Sequence, residues 1–273
     1  LSRIAWTVAG SVLSLSRNGY AGTVQVLDPV TREELTSLFA GRHVYATGTS
    51  FLLSAAGADA DYSVPRPGCS FAHWSGDIGA SNPALPEIVL TLDSDKSITA
   101  AFAPDAWFVA ADKKSMTDGA WTLACTVKST TCQSVTIGKP SIYQTTGVLN
   151  LALPVRSAVE SNTDVFVFES IASSAFASET KVKAFYFPAS IITVGGSAFA
   201  SCKGFTKFEG FSTCGVTSLP SFTFSDIDAR GSSVTWEDFI PQGLTEINTR
   251  AFYNAKVDDA DIIFASLRKV ATD

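Results

Sequence analysis

A spacing rule recurs four times in the second half of the chain: an apolar residue, another apolar residue three positions later, and a phenylalanine five positions after the second. Two of the phenylalanines lie in nearly identical hexapeptides, SSAFAS at 173–178 and GSAFAS at 196–201. The spacings within a unit are constant, whereas successive units are offset by 23, 25 and 28 residues, which is typical of stacked units joined by variable surface loops. The four triplets are Phe168, Ile171 and Phe176; Ile191, Val194 and Phe199; Val216, Leu219 and Phe224; and Leu244, Ile247 and Phe252.

Each unit is too short to bury its own apolar face, so its phenylalanine must pack against the next unit. We therefore predict a solenoid over 161–273 in which the four phenylalanines form one column. A fifth apolar pair, Leu267 and Val270, follows, but its phenylalanine would fall at position 275, beyond Asp273, so we expect the array to be truncated. Short strands are expected between the triplets, at 181–188, 204–211, 233–241 and 260–266.

The stretch FPASIITVGGSAFASCKGFTKF at 187–208 resembles the BspA-like leucine-rich repeat, and the resemblance extends over about 160–273. In that family a short strand ending near proline is followed by two aliphatic residues, a glycine, Ala-Phe and a cysteine. The resemblance implies stacked repeats in a surface-exposed or secreted bacterial protein with a role in adhesion, and it implies that Cys202 is a buried thiol. The matching residues are Pro188, Ile191, Val194, Gly195, Ala198, Phe199, Cys202 and Phe205.

The first 104 residues consist mainly of strand-like stretches. The last of them, 87–102, contains two alternating runs around the sequence DSDKS, which predicts a β-hairpin. The region 43–102 resembles the divergent internalin B repeat, a small β module of bacterial surface proteins. This resemblance implies one such module within 1–104, and its matching residues are Trp74, Gly76, Asp77, Asp95, Lys96, Ser97, Thr99 and Phe102.

Residues 105–160 are also rich in strand-like runs, and the Asp-Gly pair at 118–119 predicts a tight turn between two of them. Because the first unit of a solenoid needs cover for its apolar face, this segment is predicted to be a β linker or a solenoid cap. A two-residue turn at 128–129 would place Cys125 opposite Cys132, close enough for a disulfide. The alternative is that both cysteines are small apolar residues of a hairpin.

Composition limits the partners. The chain has 46% hydrophobic and 17% charged residues, and this balance favours a globular, mostly β protein with little helix. Its net charge is −6 and its longest cationic cluster is the lysine pair at 113–114, so we expect no nucleic-acid partner. No run of 18 apolar residues occurs, so no membrane insertion is expected within this chain. It begins at Leu1 without a signal sequence, and we interpret it as a piece of a longer precursor.

Catalytic and cofactor motifs do not occur in the sequence: it contains no G-x-S-x-G, H-E-x-x-H, C-x-x-C, G-x-x-x-x-G-K-[ST] or G-x-G-x-x-G. Its two histidines, His43 and His73, lie in the N-terminal module, and His73 is interpreted as a strand residue without a metal role. Scattered carboxylates such as Glu169 and Glu179 are more typical of a solvated surface than of a glycosidase pair. We therefore predict no catalytic residues, no metal site, no cofactor and no enzymatic activity.

Four residues are predicted to face outward from the repeat strands and to form a binding surface: Lys183, Tyr186, Lys207 and Glu209. The first hypothesis is an extracellular or cell-surface recognition module that binds a host or environmental protein or glycan through this face. The second is a passive stalk, or an accessory domain of a larger secreted, glycan-degrading protein. A contiguous aromatic patch on the face would favour the first hypothesis, and uniform Ser and Thr would favour the second.

Overall fold

The computed structural model describes residues 10–18, 20–35, 44–64, 66–129, 133–142, 147–258 and 269–270. Strands dominate this described part, and its helical elements are a 3₁₀ turn at Phe211–Thr213 and the four-residue helix α1 (Trp236–Phe239). The prediction of a mostly β protein with little helix is therefore confirmed. His43, Cys132, Leu267 and the segment 260–266 lie outside the described residues.

The chain divides into two compact units, one formed by Leu1–Ala60 and Gly68–Pro104 and the other by Asp61–Pro67 and Asp105–Asp273. The strands of the first unit are β1 (Gly10–Arg17), β2 (Thr23–Leu27), β3 (Val44–Ala46), β4 (Thr49–Ala56), β5 (Cys69–Gly76), β6 (Glu87–Leu92) and β7 (Lys96–Pro104). They form two sheets, with the orders β3-β1-β7-β5 and β2-β4-β6.

The hairpin predicted at 87–102 is wrong. Strand β6 pairs with β4, whereas β7 pairs in parallel with β1 and antiparallel with β5, so the turn between them connects the two sheets. Two contacts stabilise the turn between β6 and β7. Asp93 forms an ion pair of 2.6 Å with Lys96, and Asp95 Oδ1 accepts a hydrogen bond from the Val12 amide at 2.8 Å. Both strands do alternate between buried and exposed residues, but alternation specifies the buried face of a strand and not its neighbour.

The second unit begins with strands β8 (Trp107–Val109), β9 (Ser115–Thr117), β10 (Thr122–Ser129), β11 (Gln133–Ile142), β12 (Val148–Asn150), β13 (Val155–Ser157) and β14 (Phe166–Ile171). Six of these, all except β12, close into a barrel of order β11-β10-β9-β8-β13-β14, because β14 pairs in parallel with β11. The β13–β14 contact is a single antiparallel pair, Val155 with Phe166. The strand-like runs of 105–160 predict β structure here but do not predict a closed barrel.

Two turns of the barrel were predicted. The Asp-Gly turn is confirmed, because Gly119 has φ +96°. Asp118 Oδ1 accepts hydrogen bonds from the amides of Ala120 and Trp121. The two-residue turn at 128–129 is wrong, because β10 continues to a pairing of Ser129 with Gln133 and places Cys125 opposite Ile137. Cys125 is a buried free thiol, so the predicted bridge is not formed.

The repeat strands that follow are β15 (Ala184–Tyr186), β16 (Thr193–Val194), β17 (Lys207–Glu209), β18 (Ser218–Leu219), β19 (Glu246–Ile247) and β20 (Lys269–Val270). Equivalent positions pair in parallel: Ile171 with Val194, and Leu219 with Ile247, which pairs in turn with Val270. A second parallel ladder has the order β12-β15-β17. The spacing rule thus predicted the correct partners. We call each unit of the rule a coil: the first contains Phe176, the second Phe199, the third Phe224 and the fourth Phe252.

The predicted phenylalanine column is confirmed. Phe176 stacks on Phe199 with 5.4 Å between the ring centroids, Phe199 on Phe224 at 5.2 Å, and Phe224 on Phe252 at 5.4 Å, and the interplanar angles do not exceed 19°. The first three rings are buried, and Phe252 is partly buried. One continuous hydrophobic core extends from Trp107 in the barrel to Ala251 in the last described coil.

Two residues in every turn, placed two before and two after the column phenylalanine, have a positive φ. This left-handed conformation costs a non-glycine residue about 1–2 kcal/mol, so the fold must require it. It brings the amides of the first three column residues to carbonyls of the next repeat, for example Phe199 to Thr223 at 2.9 Å. The pairs are Ser174 and Ser178, Ser197 and Ser201, Phe222 and Asp226, and Arg250 and Asn254.

The strand predicted at 233–241 is wrong, since this segment contains helix α1. Thr235 caps the helix in a capping box: its amide donates to Asp238 Oδ2 at 2.8 Å, while its side chain receives the amide of the third helical residue. The signal for this helix is the sequence TWED, a Thr followed three residues later by an acid.

Candidate functional site

Strands β12, β15 and β17 lie in register and present one exposed face, which we call the strand face. The middle residue of each strand points into the core, and these residues are Leu149, Phe185 and Phe208. The flanking residues alternate to the outside because successive side chains of a strand point to opposite faces. They form two columns, Val148, Ala184 and Lys207 in one, and Asn150, Tyr186 and Glu209 in the other.

Three of the four predicted binding residues meet on this face. The Lys207 ammonium lies 5.0 Å from the centroid of the Tyr186 ring and forms an ion pair of 2.8 Å with Glu209. The hydrogen bond to Glu209 is the main cause that raises the pKa of Lys207 above its ordinary value. The face therefore presents an aromatic ring and two opposite charges on rigid strands.

The fourth residue, Lys183, lies at the margin of the strand face. It is exposed, and its Nζ donates a hydrogen bond to the Thr180 carbonyl at 3.0 Å. The same Nζ lies 3.2 Å from the point where a Cβ atom on Gly204 would stand. Lys183 thus connects the strand face to a neighbouring groove instead of joining the other three residues.

This groove, with a volume of about 570 Å³, is lined by charged residues that the sequence analysis did not single out. Arg230 donates two hydrogen bonds to the Asp228 carboxylate, from Nε to Oδ1 at 2.9 Å and from Nη2 to Oδ2 at 2.7 Å. That contact is the main cause that lowers the pKa of Asp228 to about 2. The lining residues are Lys203, Gly204, Asp228, Arg230, Gly231 and Asp258.

No local sequence motif marks the groove, because its charges come from different coils. Asp228 forms parallel bridges with Lys203 on one side and Lys256 on the other. These three residues become neighbours only when the coils stack. We call this groove the charged groove; it and the strand face together form the candidate binding site.

The thiols of the repeat coils are structural. Burial raises the pKa of Cys202 and that of Cys214 to about 12, so neither is a thiolate at neutral pH. The Cys202 thiol donates to the Phe176 carbonyl at 2.8 Å, and the Cys214 thiol donates to the Pro188 carbonyl at 3.3 Å. The implied buried thiol at Cys202 is therefore confirmed.

His73, the histidine that the structure describes, is exposed on β5 of the first unit. Over the described part of the chain, no group of three or more His, Cys, Asp or Glu side chains is arranged to hold a metal ion. Among the described helices, none has the length and apolar character needed to cross a membrane.

Comparison with known proteins bears on the repeat part alone. No curated protein and no solved structure gives a significant match to the chain. Residues 166–272 match the family model described as BspA type leucine rich repeat region, in six copies, where the spacing rule found four triplets and a fifth pair. The match begins at Phe166, the first residue of β14, which is also a strand of the barrel. The repeat part of the chain, residues 166–272, is thus similar to the BspA-type leucine-rich repeats.

Proposed function

We propose that the second unit is a protein-recognition module that binds a partner protein through the strand face and the charged groove. The single observation that carries this proposal is the cluster of Tyr186, Lys207 and Glu209. A tyrosine ring offers a large contact area at a low cost in side-chain entropy, and the adjacent opposite charges add specificity for a complementary partner. A passive stalk is expected to have Ser and Thr throughout this face, whereas these positions are Tyr, Lys and Glu.

The repeats are inferred to form a solenoid, and the barrel to be its N-terminal cap. The parallel ladders and the phenylalanine column support the solenoid. Two indole groups support the cap: Trp121 Nε1 donates to the Val148 carbonyl and Trp107 Nε1 to the Asn150 carbonyl, each at 2.7 Å. Both carbonyls lie on β12, the edge strand of the ladder, so the indoles take the place of a preceding coil.

The size of the face bears on the expected affinity. Three strands of three residues cover roughly 10 Å by 15 Å. A stable interface buries about 800 Å² on each partner, so the strand face alone is too small for one. The partner is expected to reach the charged groove past Lys183, and contact with the strand face alone would give a dissociation constant in about the micromolar range or weaker.

The wider setting of this module is part of the same proposal. BspA-type repeats occur in bacterial surface and secreted proteins, which supports an extracellular or cell-surface location and a role in adhesion without catalysis. The internalin B-like character of residues 43–102 is likewise proposed on its motif alone. Such a module would hold the recognition unit away from the cell.

The test is a binding screen of the purified chain against a panel of host matrix proteins and a glycan array. A protein hit is expected, and Tyr186→Ala and Lys207→Glu are each expected to weaken it by about fivefold or more. Lys114→Glu makes the same charge change at an exposed position of the barrel and serves as the control that leaves binding unchanged. Binding to glycans alone would contradict a protein partner. The absence of binding on both panels would favour the passive stalk.

A further inference from the structure

The turns of the third and fourth coils differ from those of the first two at one backbone position. Two residues before each column phenylalanine, φ lies between +56° and +61°. The first two coils have serine there, and a small polar side chain tolerates this left-handed conformation better than a bulky one. The third coil has Phe222 and the fourth has Arg250. The backbone requirement does not explain either choice.

Burial in the core does not explain the aromatic residues of these two turns. Phe222 is 37% exposed, whereas Phe224, two residues later, is fully buried in the column. Tyr253 follows the fourth column residue directly and is 55% exposed. The equivalent positions of the first two coils are Ala177 and Ala200. Two aromatic rings are thus placed at the surface where the earlier coils have small residues.

Arg250 connects the two rings. Its guanidinium carbon lies 6.0 Å from the centroid of Phe222 and 5.7 Å from that of Tyr253. The backbone fixes this arrangement, because the Phe224 amide donates to the Ala251 carbonyl at 2.7 Å and the Asp226 amide donates to the Tyr253 carbonyl at 2.8 Å. We call Phe222, Arg250 and Tyr253 the turn cluster.

We propose that the turn cluster is a second docking surface, and that its occupant is a protein segment that presents a carboxylate beside an aromatic or aliphatic side chain. Arg250 is exposed, and a guanidinium has five N–H donors in a planar fork, so it can bind a carboxylate in addition to its contacts within the chain. The rings offer an apolar surface to the neighbouring side chain. Arginine and tyrosine are also the residues that most often dominate the binding energy of protein interfaces. This surface is separate from the strand face, and its failure would leave the earlier proposal intact.

The first test separates binding from folding. Phe222→Ser introduces the residue of the first two coils, so the thermal midpoint is expected to stay constant or rise. A structural role for Phe222 would instead lower the midpoint by several degrees, and that result would overturn the proposal. Tyr253→Ala and Arg250→Gln are likewise expected to leave the midpoint nearly unchanged.

The second test measures binding to an array of synthetic twelve-residue peptides of three kinds: Glu beside Phe, Lys beside Phe, and Glu beside Ser. The Glu–Phe peptides are expected to bind at least about tenfold more tightly than the other two. Arg250→Gln is expected to abolish the preference for Glu over Lys, and Phe222→Ser to weaken Glu–Phe binding by about fivefold. Tyr186→Ala, on the strand face, is the control without effect. Equal binding of Lys–Phe peptides, or no binding of any peptide, would overturn the proposal.

Discussion

At the scale of single residues, the column phenylalanines pack directly against one another from one coil to the next. Phe199 stacks between Phe176 and Phe224, and it also contacts other rings edge to face, among them Phe208 at 5.3 Å. Gly195 allows this close approach, because a Cβ atom there would lie 2.3 Å from the Ser173 nitrogen. The spacing rule in the sequence therefore records a packing requirement and does not mark a ligand site.

Phe199→Ala is expected to lower the free energy of unfolding by about 3–5 kcal/mol, because it opens a cavity between two coils. The measurement is chemical denaturation monitored by circular dichroism. Phe252→Ala is the matched comparison and is expected to cost less, since Phe252 is only partly buried. A loss below about 1 kcal/mol at Phe199 would contradict the column as the source of stability.

At the scale of elements, side chains of the barrel contact the edge of the strand ladder. Strand β12 is an edge strand, and an open edge is a template for pairing with another chain. The two indole N–H groups of the barrel occupy its carbonyls instead. In the proposed cap, the indole N–H groups of Trp121 and Trp107 thus donate to carbonyls that would otherwise accept hydrogen bonds from a further strand.

Trp121→Phe keeps an aromatic ring but removes the donor to the Val148 carbonyl. We expect it to cost about 1–3 kcal/mol of stability, because a partly buried acceptor loses its hydrogen bond. Amide hydrogen exchange should accelerate in β12 and β15, while the amides of β18 and β19 provide an internal control. Uniform acceleration in both ladders would argue against a local capping role.

The same scale shows where sequence patterns mislead. The alternation of β6 and β7 predicts a hairpin and the β-like stretch at 233–241 predicts a strand, and neither forms. In the first case the pattern did not specify the partner strand. In the second, a capping box overrode a β-like composition over four residues.

At the scale of the whole molecule, the barrel and the repeats share one strand and one hydrophobic core. Strand β14 belongs to both parts. It pairs with β11 in the barrel, and it also pairs with β16 of the next coil. The hydrophobic core continues through it without interruption. We therefore expect the repeats to depend on the barrel for their folded state.

A fragment of residues 105–273 is expected to fold, whereas a fragment of residues 161–273 is expected to lack a cooperative unfolding transition. The reason is that the shorter fragment lacks β12 and every barrel strand except β14, so it exposes the edge of β15 and the apolar face of the first repeat. Circular dichroism and thermal melting of the two fragments make the comparison. A cooperative transition in the shorter fragment would show that the barrel is dispensable.

The sequence by itself determined which residues stack between coils. The constant spacings of three and five predicted the column and the paired strand positions, because these depend on a period that repeats along the chain. The alternation within the repeat strands predicted that Tyr186, Lys207 and Glu209 face outward. Only the tertiary structure decided the barrel closure, the charged groove and the turn cluster. Each of these joins residues from separate coils or strands, and a local pattern specifies the face that a residue occupies but not the distant residue that will lie beside it.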